Sequence, residues 1–289
     1  MSVSPQAPPD ESAPESRSST DMIELDVRQP RAPVRRFRVT VVLPTLNEAI
    51  AAPALLSDVP AWVDEVIVVD GPSTDGTLEA VAEACPSAVR LVQQGAGKGD
   101  AIKQGLAAAT GDIVVTMDAD GSMSLADAGR MVDKLLEGYD FVKGSRALPG
   151  GGSADFTPAR KLGSWALTRF AGVIFGAEYT DITYGFNAYW RRMIVDTASL
   201  SDGFQFEVQA AIRAVRAGLR TAEVSCFEEP RVGGESKLHA ALDGWRILKA
   251  IVGETGPRRR VKVRAMADLH LGTTVDGALV RLPNEPSAR

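Results

Sequence analysis

The chain has 289 residues, enough to bury a large core, and a net charge of −5 that gives no ground for nucleic-acid binding. Two cysteines, Cys85 and Cys226, make no disulfide framework and point to a reducing compartment; only His239 and His270 are available to mechanisms built on histidine. No run of about 18 apolar residues reads as a membrane span and the polar start lacks a signal-peptide pattern, so the expectation is a cytoplasmic protein.

Residues 1–36 are dense in Pro and Ser without periodicity and read as a disordered tail. Arg28, Arg31, Arg35, Arg36 and Arg38 make its end basic, which suits a solvated linker or a contact with an anionic membrane surface. From Phe37 the texture changes. FRVTVVLP reads as a strand ended by Pro44, and TLNE leads into a helix running to about Val59. EVIVVD is a second strand ending on Asp70, followed by the turn GPSTDGT and a helix to about Ala84. A third strand near 88–92 leads through QGAGKGD into a helix over 101–109. The fourth strand opens GDIVVTMDADGS, residues 111–122. Strands alternating with helices at this spacing predict a parallel sheet with right-handed crossovers. Asn47, Glu48, Asp70, Ser73, Asp75, Lys98, Asp118 and Asp120 then collect at one sheet edge as a binding crevice.

Asp118 and Asp120 close a strand that reads as buried on both faces. Leaving either charge buried and unpaired costs several kcal/mol, so a positive group should sit between them. A hard divalent cation, Mg²⁺ or Mn²⁺, itself holding a phosphate, fits. The competing reading makes both carboxylates helix caps, but Ser124 and Asp127 already form a capping pair for the next helix. MDADG is not an EF-hand loop, whose glycine stands sixth rather than fourth. A phosphatase nucleophile at Asp118 would resemble the haloacid dehalogenase group, which carries its motif after the first strand rather than the fourth. GAGKGD is neither a Walker A loop, since Gly99 follows Lys98, nor GxGxxG, since Asp100 stands at the third glycine. It is either a backbone turn close to a ligand or a flexible connection.

The next helix carries Leu125, Ala128, Val132, Leu135 and Leu136 on one face and leads to the strand YDFVKGSR. ALPGGGSADFTP is Gly- and Pro-rich, a candidate lid. In the helix from Pro158 to about Phe175, the stripe Leu162, Trp165, Ala166, Phe170 and Ile174 is expected to pack in the core, with a lipid-facing surface as the sharper alternative. DGFQFE opens another helix. RVGGESKL is a glycine-softened loop bearing Arg231 and Lys237; the helix after it is expected to bury Leu238, Leu242, Trp245 and Val252. Residues 257–289 begin with PRRRVKVR and read as a basic, flexible tail.

Several motifs agree in kind and order. VVLPTLNE (41–48), VVDGPSTDGT (68–77), GKGDAIKQGLAAATGD (97–112) and MDADGS (117–122) together resemble the family 2, GT-A-fold glycosyltransferases. GSR (144–146), DITYGFNAYWR (181–191), DGFQFE (202–207) and RVGGESKL (231–238) resemble the branch of dolichyl-phosphate mannose synthases and other polyprenyl-phosphate sugar transferases.

The resemblance implies an α/β, Rossmann-like GT-A domain over residues 37–256, with a mostly parallel central sheet flanked by helices. Pro44, Leu46, Glu48, Val69, Asp70, Lys98 and Ala119 would bind the nucleotide. Asp118 and Asp120 would hold Mg²⁺ or Mn²⁺, with Ser122, where the family often has Gln, completing the metal shell directly or through water. Gly71-Pro72 departs from the family pattern and leaves the base open. Arg146 and Asp181 would face the acceptor, Glu207 would point into the same region, and Arg231 and Lys237 would close on the donor diphosphate. The implied activity is inverting transfer of a hexosyl unit from a GDP- or UDP-sugar to a polyprenyl phosphate. A phosphate acceptor needs no general base; a saccharide or small-molecule hydroxyl, the alternative, would take one from Asp181, Asp202 or Glu207. A DxD phosphohydrolase and a catalytically silent sugar-nucleotide binder are the readings from other classes. A lipid acceptor would place the protein peripherally on the inner membrane face, through its basic tails.

Overall fold

The computed structural model describes residues 37–193, 199–233 and 240–256; the expectations for Lys237, Leu238 and the two tails lie outside them. The alternation of apolar residues along the first strands decides the architecture. In β1 (Val39–Thr45), Val39, Val41 and Leu43 face one side while Val42 faces the other. In β2 (Glu65–Asp70), Val66 and Val68 join the first group, and Ile67 and Val69 the second. With both faces apolar, the sheet needs a helical layer on each side.

α1 (Ala51–Leu56), α2 (Thr77–Ala84) and α4 (Leu125–Leu136) supply one layer. α3 (Lys98–Ala108), α5 (Pro158–Phe175), α6 (Gln205–Arg216) and α7 (Ala240–Gly253) supply the other. With β3 (Val89–Val92), β4 (Ile113–Thr116), β5 (Phe141–Ser145), β7 (Asn187–Trp190) and β8 (Thr221–Ser225), the sheet has seven strands in the order β3-β2-β1-β4-β7-β5-β8. All neighbours are parallel except β7, which runs antiparallel to both β4 and β5. The sheet is thus mostly parallel, and β1, β2 and β4 end side by side at one edge.

Three expectations change. The glycine-rich segment after β5 is pinned: β6 (Gly152–Ser153) pairs with β9 (Phe227–Glu228), and the Ser153 hydroxyl bonds the Glu228 carboxylate. The α5 stripe does not enter the core. Leu162 and Trp165 are 64% and 60% exposed, and the buried side is Thr168 and Ala171, small residues that let the helix lie close to the 180–183 segment. The last helix is likewise rotated from the expected face: Leu242, Trp245 and Val252 are exposed, while Ile247 and Ile251 are buried. No helix among the described residues is long and apolar enough to cross a membrane.

Ser124 caps α4 through its side chain, which accepts from the Ala126 amide at 3.1 Å, so neither Asp118 nor Asp120 is needed there. Ser124→Ala should lower unfolding free energy by about 1 kcal/mol in urea titrations, and an unchanged midpoint would contradict the cap. Nucleotide affinity should stay at the wild-type value.

Candidate active site

The loop after β1 is latched to the loop after β2. Asn47 takes a left-handed conformation (φ 57°), a region in which asparagine is enriched. Its amide donates to Ser73 Oγ and its Oδ1 accepts from the Thr74 amide, both at 2.8 Å. The Glu48 amide donates to Thr77 Oγ1 at 3.0 Å. Asp70, buried at the end of β2, accepts on Oδ1 from the Thr45 and Ser73 hydroxyls at 2.7 Å each. Pro44 and Leu46 are half-buried beside it. The Val69 and Ala119 side chains sit in the two core layers, so a ligand could touch these residues only through their main chain.

The glycines flanking Lys98 have a reason that neither sequence reading supplied. A side chain at Gly97 would run into the Asp202 carbonyl oxygen, and one at Gly99 into that of Ser201. The Asp100 amide donates to the Asp202 carbonyl at 3.0 Å, closing the seam between α3 and the DGFQFE segment. That seam brings Lys98, in the first turn of α3, to Glu207, in the first turn of α6. Lys98 Nζ pairs with Asp118 Oδ1 and lies 2.8 Å from Glu207 Oε1. This second contact has ion-pair distance without well-aligned hydrogen-bond geometry, and Glu207 Oε1 is buried with no other donor among the described residues. Burial works against the Lys98 charge, but Asp118 and Glu207 outweigh it and raise its pKa.

Asp120 is served from the other side. Its Oδ1 accepts from the Ser122 amide (3.0 Å) and hydroxyl (2.6 Å); its Oδ2 pairs with Arg231 at 2.7 Å. Arg231 also reaches Glu48 Oε1 at 3.1 Å. The Val232 amide donates to the Asp120 carbonyl at 2.8 Å, and the Glu229 amide to that of Ser122 at 3.0 Å. Gly121, at φ 79°, leaves room for Val232, whose Cγ2 would lie 2.7 Å from any Cβ there. Backbone bonds therefore dock the RVGG loop on the DADG loop.

Four carboxylates (Glu48, Asp118, Asp120 and Glu207) thus meet two cations, Lys98 and Arg231. Among the described residues, these six side chains carry a formal charge of −2. Burial chiefly, with repulsion from Asp120 and Glu207, pushes Asp118 up to about 6 despite Lys98. This surplus is the one a divalent cation would neutralise. No group of three or more His, Cys, Asp or Glu forms a ready metal cage among the described residues. The donor set instead suits an ion held by one or two carboxylates and completed by phosphate and water, the usual manner of Mg²⁺.

A second cluster surrounds Arg146. Its Nε and Nη2 form a bidentate pair with Asp181 (2.7 and 3.2 Å), and Nη2 also reaches Thr183 Oγ1 at 3.2 Å. Nη1 donates to Glu228 Oε2 at 3.2 Å. Phe156 and Tyr184 lie over the guanidinium at 4.1 and 4.4 Å. The guanidinium fork expected to face the acceptor is turned onto Asp181 here. Burial opposes the Asp181 charge, yet Arg146 prevails and holds its carboxyl below the ordinary range. Asp202 lies outside both clusters, paired at the surface with Lys103 at 2.6 Å.

The family model described as Glycosyl transferase family 2 matches residues 40–198. The chain belongs to this family. Glycosyltransferase AglJ of Haloferax volcanii is 34% identical over 217 residues, 71% of this chain and 68% of that protein. Undecaprenyl-phosphate mannosyltransferase of Micrococcus luteus is 34% identical over 225 residues, 73% of this chain and 92% of that one. A crystal structure of glucosyl-3-phosphoglycerate synthase from Mycobacterium tuberculosis, with Mn²⁺, uridine diphosphate and phosphoglyceric acid, superposes with a TM-score of 0.59 at 22% identity. That match covers 85% of this chain and 86% of the other, and establishes the shared GT-A fold. The protein is a glycosyltransferase, and membership sets aside the phosphohydrolase reading of Asp118.

Sequence reasoning about this transferase missed Glu228, Thr183, Phe156 and Lys143. The first three pair with Arg146 over separations that no local pattern shows. Lys143 did leave a signal, a lone charge in the strand FVKGS, every residue of which is buried. Its Nζ donates to the Tyr184 carbonyl and, at 3.1 Å, to Asn187 Oδ1. Burial pushes its pKa down from 10.5 to about 8, although Glu207 and Asp181 pull the other way. The folded state therefore binds fewer protons than the unfolded chain between pH 8 and 10.5, and stability should rise with pH across that window. Relative to Lys143→Met, the wild type should gain up to about 3 kcal/mol there in denaturant titrations. Parallel pH profiles would contradict the shift.

Proposed function

We propose that this transferase moves a hexosyl unit, with inversion, from a GDP- or UDP-sugar to a polyprenyl phosphate at the inner face of a membrane. The observation that carries the acceptor class is the state of the three carboxylates that could deprotonate a hydroxyl. Asp181 is locked to Arg146, Glu207 is paired with Lys98, and Asp202 is paired with Lys103 away from both clusters. None is poised as a base, and an acceptor phosphate, already anionic, requires none. The Micrococcus luteus relative, named for an undecaprenyl-phosphate substrate, supports the same reading.

In this account Asp70 Oδ2, with Oδ1 fixed by two hydroxyls, accepts from the donor base or ribose. Pro44, Leu46 and Glu48 line the same pocket, with the main chain of Val69 and Ala119. Asp118 and Asp120 would hold Mg²⁺ or Mn²⁺, and Ser122 orients Asp120 through the 2.6 Å bond. When bound, the ion supplies positive charge to the donor diphosphate. Lys98 keeps Asp118 ionised and aligned, and Arg231, with Lys237 of the same RVGGESKL motif, stabilises the departing diphosphate. An acceptor phosphate oxygen forms the new bond to C1 of the sugar from the opposite face. The bond from C1 to the diphosphate breaks, and its electron pair leaves on the nucleoside diphosphate. Arg146 and Asp181 shape the acceptor side.

The test offers radiolabelled GDP-mannose and UDP-glucose with undecaprenyl phosphate and Mg²⁺ or Mn²⁺. An organic-extractable, acid-labile sugar lipid is expected with one of the donors. Asp118→Asn should slow its formation by roughly 10²–10³-fold. Label recovered only in saccharides or free sugar would overturn the acceptor assignment.

A further inference from the structure

The reversed faces of α5 and α7 create a surface that the chemistry of the crevice does not use. The two helices pack against each other. Leu162, Trp165, Phe170, Val173 and Ile174 of α5 and Leu242, Trp245 and Val252 of α7 are all exposed. Val173 is 76% and Trp245 54% exposed, while Phe170 and Ile174, at 37% and 38%, edge the patch. Single exposed apolar residues need no explanation, but eight on two adjoining helices mark an interaction site.

The charges of the same helices identify the partner. α5 carries Arg160, Lys161 and Arg169 and no acidic residue. α7 carries Arg246 and Lys249, and its one acid, Asp243, is buried and paired with Arg246 at 3.0 Å. Lys249 Nζ lies over the Trp245 ring at 5.2 Å. On a chain of net charge −5, this face is locally cationic. A second copy docked by a two-fold axis would set five cations against five. Residues 257–264, PRRRVKVR, are themselves basic and a poor cover for it. Tryptophan and aliphatic side chains rimmed by Lys and Arg match the boundary between acyl chains and anionic headgroups.

We propose that the outer faces of α5 and α7 form a docking surface for an anionic lipid bilayer. The inner face of α5 gives this position a purpose, in a step that rests on the lipid-phosphate reading above. Ser164 Oγ donates to Asp181 Oδ1 at 3.1 Å and is 2.7 Å from Thr183 Oγ1; Thr168 Oγ1 accepts from the Ile182 amide at 3.1 Å. One helix therefore touches the membrane on one side and the Arg146–Asp181 cluster on the other.

The full chain is mixed with phosphatidylcholine vesicles, with and without phosphatidylglycerol, containing no polyprenyl phosphate. The protein should sediment with the anionic vesicles, its tryptophan emission should shift to the blue, and added salt should release it. Trp165→Gln with Trp245→Gln should weaken the partition by on the order of tenfold or more. The same double variant should turn over a short, water-soluble prenyl phosphate at the wild-type rate, which shows that it folds. Undiminished vesicle binding by the double variant would assign the contact to the tails and overturn the proposal. So would failure of the wild type to bind, whether it stays monomeric or forms a dimer that the variant dissolves. Vesicle binding without any lipid-linked product would instead keep the surface and remove the acceptor reading.

Discussion

The architecture of the site depends on a charge imbalance. Among the described residues, four carboxylates gather at the carboxyl edge of β1 and β4 and at the start of α6, where Lys98 and Arg231 match two of their charges. Lys98 and Arg231 keep the crevice intact without ligand: one pairs with Asp118 and Glu207, the other with Asp120 and Glu48. Their removal would leave the buried Asp120 and Glu207 without these ion pairs, a loss commonly of about 3–5 kcal/mol. In the proposed reading, the remaining negative charge is what a divalent ion carrying the donor diphosphate would neutralise.

Two backbone seams hold these charges together. In the first, Gly97 and Gly99 at the start of α3 let the backbone approach the carbonyls of Asp202 and Ser201, where the Asp100 amide bonds Asp202 and sets Lys98 against Glu207. The second joins Val232 to Asp120 and sets Arg231 on the same carboxylate. Each links chain segments a hundred or so residues apart, so the site forms only once the sheet is complete. The Arg146 cluster adds a third fixed point, with its guanidinium held between Phe156 and Tyr184.

The sheet and the gathering of carboxylates at its edge were legible in the sequence because they follow from period-two alternation and from acidic residues at strand ends. β4 ends two residues before Asp118, and the order of motifs named the family. Long-range pairing was not legible. The Lys98 loop failed two phosphate-loop patterns, and its glycines proved to serve a close backbone approach. Arg146 offered no sign that its fork would be spent on Asp181. The α5 and α7 stripes misled for another reason. Burial of apolar residues is a tendency and not a rule, so a stripe of Leu and Trp does not say which way it faces. Thr168 and Asp243 occupy the buried sides instead.

If the surplus charge is a seat completed by the donor, ion and nucleotide must bind as a pair. Mn²⁺ titrations followed by electron paramagnetic resonance, with and without UDP or GDP, measure this coupling directly. The account predicts weak binding of Mn²⁺ alone and affinity raised by on the order of tenfold or more with the matching nucleotide, an enhancement lost in Asp118→Asn. Equal Mn²⁺ affinity with and without either nucleotide would contradict it.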